Sequence, residues 1–189
     1  FIPHNGARMP CTDWSAVSDE KERFDPAQFA ADSEVPEALR KLLADGTLPA
    51  EIRLDAAGRW LYQQAPVAHP RVVALFHRSL ERTAQGNWLL RVGRYAYPVV
   101  VEDTGRFVVR LRKSKGRWLM GLSDGSDEPF DPAAVQTDGQ TFFGTVVHVD
   151  QLARFIDPAM LTLAELFEAR NQQFGVAIDS GWWPLLPRS

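Results

Sequence analysis

The chain carries one cysteine, Cys11, in 189 residues. A lone thiol excludes an intrachain disulfide and any zinc site that needs several cysteines, and it favours a reducing, cytoplasmic setting. Cys11 lies in an irregular stretch with only His4 as a sequence neighbour, so it is read as incidental rather than as a nucleophile. Histidine is scarce too: His4, His69, His77 and His148 are the four, and no two fall in an HxxxH or HExxH spacing. His69 and His77 stand two helical turns apart, too far to share one ion, and are read as a residue opening a helix and one on its solvated face. No GxGxxG or GxxxxGK[ST] loop offers backbone amides to a phosphate, and no serine nucleophile is expected. No apolar run approaches the ~20 residues that span a bilayer, and the residues after Phe1 carry no basic-then-apolar targeting pattern. No metal and no cofactor is expected.

What is present is ordinary for a globular protein: 45% hydrophobic residues, 24% charged, and a net charge of −3. That charge argues against a surface given over to nucleic acid, while leaving room for a local patch. Six Trp and eleven Phe supply large buried areas. The length suits one sizeable core or two small ones.

The pattern divides the chain into an N-terminal extension (1–34), a first α+β unit (35–90), and a second (91–189) with a C-terminal helix and an apolar tail. Pro36–Ala44 reads as a helix with Leu39, Leu42 and Leu43 inward, stopping at Gly46. Glu51 to Thr83 reads as strand, turn, strand, helix. Asp55, Ala57 and Gly58 separate Ile52-Arg53-Leu54 from Trp60-Leu61-Tyr62. Pro70–Arg82 then places Val72, Val73, Leu75, Phe76 and Leu80 on an inward stripe, with Arg71, His77, Arg78 and Glu81 facing away. A weaker copy runs from Thr137 to Arg170, with a strand from Phe142 to Val149. Its helix, Pro158–Arg170, turns Met160, Leu163, Ala164 and Phe167 inward.

Between the copies, Val99–Val101, Phe107–Leu111 and Trp118–Met120 suggest an antiparallel meander. Trp60, Tyr62 and Trp88 are read as core, with an aromatic cage as the alternative. Asp25-Pro26-Ala27, Asp131-Pro132-Ala133 and Asp157-Pro158-Ala159 each read as an Asp cap followed by Pro in the first helical turn. The tail Trp182-Trp183-Pro184-Leu185-Leu186 is too apolar for a free end. It is expected to dock on the body or to form a homodimer contact.

Charge is distributed unevenly. Arg106, Arg110, Arg112, Lys113, Lys115 and Arg117 put six positive charges in twelve residues with no acid between them. On a strand, alternation places Arg106, Arg110 and Arg112 on one face and Phe107, Val109 and Leu111 on the buried one. Arg91 and Arg94 are placed to join that patch, which suits a phosphate, a nucleic-acid backbone or an acidic partner. Two blander readings compete. One is a solvated face that guards a sheet edge; the other is neutralisation by the acids from Asp124 to Asp138. Those acids, Asp124, Asp127, Glu128 and Asp131 among them, lack the alternating order of a calcium loop, so a solvated turn is expected ahead of a weak divalent site.

The first strand-and-helix unit resembles the bacterial domain of unknown function 1285 family. The matching residues are Asp55, Gly58, Trp60, Tyr62, Pro66-Val67, and Pro70 with Val73, Leu75-Phe76 and Leu80. They continue through Trp88-Leu89-Leu90, Val99–Asp103 and Phe107-Val108-Val109. The likeness covers Glu51 to about Leu111. It implies an α+β protein with a duplicated core and a second half like pleckstrin-homology barrels. It also implies a binding or signalling role, with no catalytic residue to carry over.

The functional expectation is a non-enzymatic binding or regulatory module for an anionic small molecule or an acidic partner. Its site is expected in the groove between the units, near Arg91, Arg94, Glu102, Asp103, Arg110 and Arg112. The arginines would hold the anion and the acids would orient them. The alternative is a hydrolase or transferase using Glu102 or Asp103 as a base in that groove.

Overall fold

The computed structural model describes residues 25–47, 49–179 and 181–188. Cys11, His4 and most of the N-terminal extension lie outside them. Helices α1 (Pro26–Ala31) and α2 (Glu37–Ala44) lead to strands β1 (Ile52–Leu54), β2 (Trp60–Tyr62) and β3 (Ala65–Pro66). Helix α3 (Pro70–Ser79) runs straight into β4 (Leu80–Arg82), followed by β5 (Trp88–Val92), β6 (Tyr95–Pro98) and β7 (Val100–Val101). Next come β8 (Arg106–Ser114), β9 (Arg117–Leu122), β10 (Asp127–Pro129), β11 (Gln136–Thr137), β12 (Phe142–Val146) and β13 (Gln151–Phe155). Helix α4 (Ala159–Ala164) precedes β14 (Phe167–Arg170), β15 (Gln173–Ile178), β16 (Gly181–Pro184) and β17 (Leu186–Pro187). The strands form four sheets, ordered β3-β2-β1-β7, β4-β5-β6, β10-β9-β8-β13-β12-β11-β17 and β14-β15-β16. Short helices beside mostly antiparallel sheets make this an α+β fold. No helix among the described residues is long and apolar enough to cross a membrane.

The first of the two stretches read as repeating runs β1, β2, β3, α3, and the second β12, β13, α4. Both helices are shorter than their stripes imply. Leu80–Arg82 leave the helix to pair with Trp88–Leu90, and Phe167–Arg170 pair with Gln173–Val176. A short apolar stripe fits either period, and cross-strand partners decide it. Ala164 therefore ends exposed, and Phe167 packs inward from a strand. Helix α2 buries Leu39 and Leu43 but leaves Leu42 half exposed. The strand Val100–Val101 is not part of the meander, because it pairs in parallel with β1. The meander consists of β8, β9 and β10.

Two of the three Asp-Pro-Ala caps are present. Asp25 accepts from the Ala27 amide at 2.9 Å, and Asp131 from the Ala133 amide at 2.9 Å. Asp157 does not cap: α4 starts at Ala159 with Pro158 in the cap position. The carboxylate thus stands one residue too early to reach the free amides.

The apolar side chains gather in three clusters, and β8 serves two of them. Phe107 and Val109 face the first core, with Ile52, Leu54, Trp60, Leu80 and Leu90. Val108 and Leu111 face the second, with Met120, Val146, Phe155, Leu163 and Val176. A bulge between Val108 and Arg110 shifts the alternation, so Phe107, Val109 and Leu111 do not share a face as simple pleating predicts. Trp60 is buried and meets Phe76 edge-on at 5.1 Å, whereas Tyr62 is half exposed and Trp88 half-buried.

The third cluster joins Phe29, Val35, Leu39 and Leu43 to Leu89. It is fixed by the fully buried Asp32, which accepts from Thr83 Oγ1 at 2.6 Å and Asn87 Nδ2 at 2.8 Å. Burial works against the Asp32 carboxylate, but these bonds, with the Glu34 amide and Arg40, hold its pKa below the usual value. The apolar tail docks on its own chain, β16 pairing with β15 and β17 with β11.

Candidate functional site

The residues named from the sequence fall at separate places, each with a partner in the chain. Arg91 pairs with Glu81 at 2.6 Å and donates to the Glu34 carbonyl at 2.9 Å. Arg94 lies over the Tyr95 ring and donates to its hydroxyl at 2.9 Å. Glu102 takes Arg53 Nη1 on one oxygen at 3.1 Å and the Ala56 amide on the other at 3.0 Å. Asp103 likewise takes Arg154 at 3.0 Å and Arg188 at 2.6 Å.

Arg110 and Arg112 are brought together on one carboxylate, Asp127, at 3.4 and 2.8 Å. The sheet register explains this. Gly121 stands opposite both Arg110 and Asp127, and a Cβ there would lie 3.1 Å from the Arg110 guanidine. The absent side chain lets Arg110 cross β9 to reach β10. Arg106 pairs with Asp124, and Lys113 with Asp179 at 2.6 Å. Burial alone would raise the Asp124 pKa, but Ser126 and Arg106 outweigh it and hold the carboxyl below the usual value. The acidic segment thus neutralises much of the basic run internally. No group of three or more His, Cys, Asp and Glu is placed to hold a metal ion among the described residues.

A groove lies where the β4-β5-β6 sheet meets the seven-stranded sheet. It consists of two adjoining cavities of about 370 and 580 Å³ that share Arg82, Asp150 and Gln151. The smaller is also lined by Trp88, Asp103, Thr104 and Arg188; the larger takes in the Thr83–Gly86 turn. Of the six residues named from the sequence, Asp103 lines this groove.

One wall is built upward from a glycine. A Cβ on Gly105 would lie 2.4 Å from the Trp88 ring, so only a bare backbone lets that indole lie where it does. Arg82 in turn lies over Trp88, its guanidinium carbon 5.6 Å from the ring centroid. Among the described residues Arg82 has no carboxylate within ion-pairing distance. Thr104, another lining residue, donates its hydroxyl to the Leu152 carbonyl at 2.6 Å. Arg188 also lines the cavity, bridges to Asp103 and lies 4.1 Å over Phe143. Asp150 turns the chain in the left-handed region, at φ 48°. The buried Gln151 Oε1 has no donor.

A second cavity of about 470 Å³, lined by Phe142, Phe167, Phe174 and Leu185, is apolar.

His77 is where the fold departs furthest from expectation. It is buried, not solvated, edge-on to Trp60 at 5.5 Å and to Phe107 at 6.2 Å, and its Nδ1 has no partner. Burial drives its pKa from 6.5 down to about 4, with Arg106 pushing the same way and Asp124 opposing. The signal was available: Val73, Phe76, His77 and Leu80 have the spacing of a single helical stripe.

One local pattern, Gly121-Leu122-Ser123-Asp124-Gly125, has the GxSxG spacing of a nucleophile elbow. Here it closes β9 and turns into β10, whereas the elbow requires a strand-to-helix turn. Ser123 Oγ accepts from the Phe107 amide at 3.3 Å.

No family model matches the chain, and comparison with curated proteins finds no match. Two solved structures are similar in fold. One is a DUF1285 family protein from Silicibacter pomeroyi DSS-3, with TM-score 0.54 and 19% identity over 72% of this chain and 80% of that one. The other is a DUF1285 family protein from Shewanella baltica OS155, with TM-score 0.50 and 13% identity over 61% of this chain and 91% of that one. At these identities the likeness is one of fold. It agrees with the family that the Glu51–Leu111 segment resembles.

Proposed function

We propose that the chain is a non-enzymatic binding module that takes a small anionic ligand in the groove between the sheets, with Arg82 as the group that holds the anion. The observation that carries this is the position of Arg82: over the Trp88 ring, lining both cavities, and without a carboxylate partner among the described residues. A guanidinium beside an aromatic ring keeps N–H groups for bidentate hydrogen bonds to a carboxylate or phosphate. Cavities of about 370 and 580 Å³ fall within the range of small-molecule sites. A ligand there touches both sheets at once, so occupancy can bias how they pack, which is what a regulatory role needs.

The enzyme alternative draws less support. Glu102 and Asp103 each have both carboxylate oxygens committed to donors, which leaves neither poised to take a proton from a substrate.

The test is thermal denaturation at low salt with added phosphate, succinate or chloride, for the native chain and Arg82→Met. Methionine keeps an apolar stem over Trp88. Phosphate or succinate is expected to raise the melting temperature of the native chain well beyond chloride, and to have no such effect on the variant. Equal responses in the two proteins would refute the assignment.

A further inference from the structure

Arg82 and Asp150 carry opposite charges into one groove from different elements, and both line both of its cavities. They are not paired with each other, and neither has an ion-pair partner among the described residues. The other charges lining the smaller cavity differ: Asp103 is held by Arg154 and Arg188, and Arg188 is committed to Asp103. Among the described residues, the groove therefore presents one unmet cation and one unmet anion.

A purely anionic ligand would satisfy Arg82 and set its own charge near Asp150 and Asp103, where like charges repel. A purely cationic ligand has the converse fault at Arg82. Gln151, beside Asp150 in both cavities, adds to the demand for donors on that side, because its Oε1 has none. Accepting Arg82 as the anion contact, as proposed above, we infer that the ligand is a small zwitterion, with a carboxylate at Arg82 and an ammonium group at Asp150. A free amino acid or a short amino-terminated carboxylate has this chemistry. The groove discriminates by charge at both ends, since a deaminated analogue leaves the Asp150 carboxylate unpaired.

Calorimetric titration at low salt tests this with L-alanine, 4-aminobutanoate, butanoate and butylamine, on the native chain, Asp150→Asn and Arg82→Met. Asparagine is nearly isosteric with aspartate and tolerates the left-handed backbone at this position. At least one zwitterion is expected to bind about fivefold or more tightly than butanoate or butylamine. Asp150→Asn is expected to remove the advantage over butanoate, weakening the zwitterion and, with one repelling carboxylate gone, somewhat tightening butanoate. Butanoate binding as tightly as both zwitterions, or a zwitterion preference that survives Asp150→Asn, would overturn the zwitterion assignment alone. Binding that survives Arg82→Met, or no binding by any of the four, would overturn the groove assignment and this inference with it.

Discussion

Acidification from about pH 7.5 to about pH 4.5 is expected to destabilise this protein mainly through one side chain, His77. The imidazole is buried against Trp60 and Phe107 with Nδ1 unpartnered, and its pKa falls from 6.5 to about 4. In the unfolded chain it takes a proton near 6.5; in the folded chain it resists until about 4. Between those values the unfolded state binds more protons, so stability falls as pH falls and levels off below about 4. The fall from 6.5 to about 4, at ~1.4 kcal/mol for each tenfold change in proton affinity, gives a full loss of about 3 kcal/mol. That is a large share of the ~5–15 kcal/mol that holds a domain together.

The carboxylates held lowest, Asp32, Asp124, Asp138 and Glu168, are also depressed. Their stabilisation is present above their ordinary values of 3.8 and 4.5, and is lost as pH falls toward their folded values. The range from 6.5 to about 4.5 therefore isolates the histidine. Urea unfolding of the native chain and His77→Leu across this range is the assay. The native chain should lose about 2–3 kcal/mol more than the variant. Parallel pH profiles, or a His77 resonance titrating near 6.5 in the folded protein, would refute the reasoning.

Asp32→Ala removes the acceptor shared by Thr83 and Asn87. It is expected to cost about 3 kcal/mol and to expose residues 25–47 to limited proteolysis. Gly105→Ala forces Trp88 off its seat; thermal melts should show a loss of about 1–3 kcal/mol, and titration a weaker anion affinity. Reversing Arg110 and Arg112 to Glu together disturbs exposed pairs with Asp127. By chemical denaturation it should cost no more than about 1–2 kcal/mol, with anion binding at the groove unchanged.

The sequence was most legible where local chemistry decides the structure. The caps at Asp25 and Asp131, the turn at Gly58 and the buried stripe of Leu39 and Leu43 rest on residues close in the chain. It was less legible where distant partners decide. Leu80–Arg82 and Phe167–Arg170 continue helical stripes, yet each is drawn into a strand by a neighbour several residues on. The bulge in β8 reassigns Leu111 to another core, and no residue type marks it in advance. The site was expected in a groove between the two units, and of the six residues named for it Asp103 lines the groove that holds Arg82. Arg82 was not singled out, because its distinction is relational: a cation becomes notable only once the ion pairs of the other arginines are in place. The arginine run drew attention by density, and Asp124 and Asp127 take up much of it.

The central claim is that the Arg82 guanidinium is the anion contact of the groove. Nitrogen-15 NMR of the arginine side chains during titration with succinate at low salt tests it directly, with the Trp88 indole as a second reporter. The claim predicts that the Arg82 Nε and Trp88 Nε1 signals shift together along one saturable curve, while those of Arg110 and Arg112 stay in place. Saturable shifts at Arg110 and Arg112 with Arg82 unmoved would contradict it.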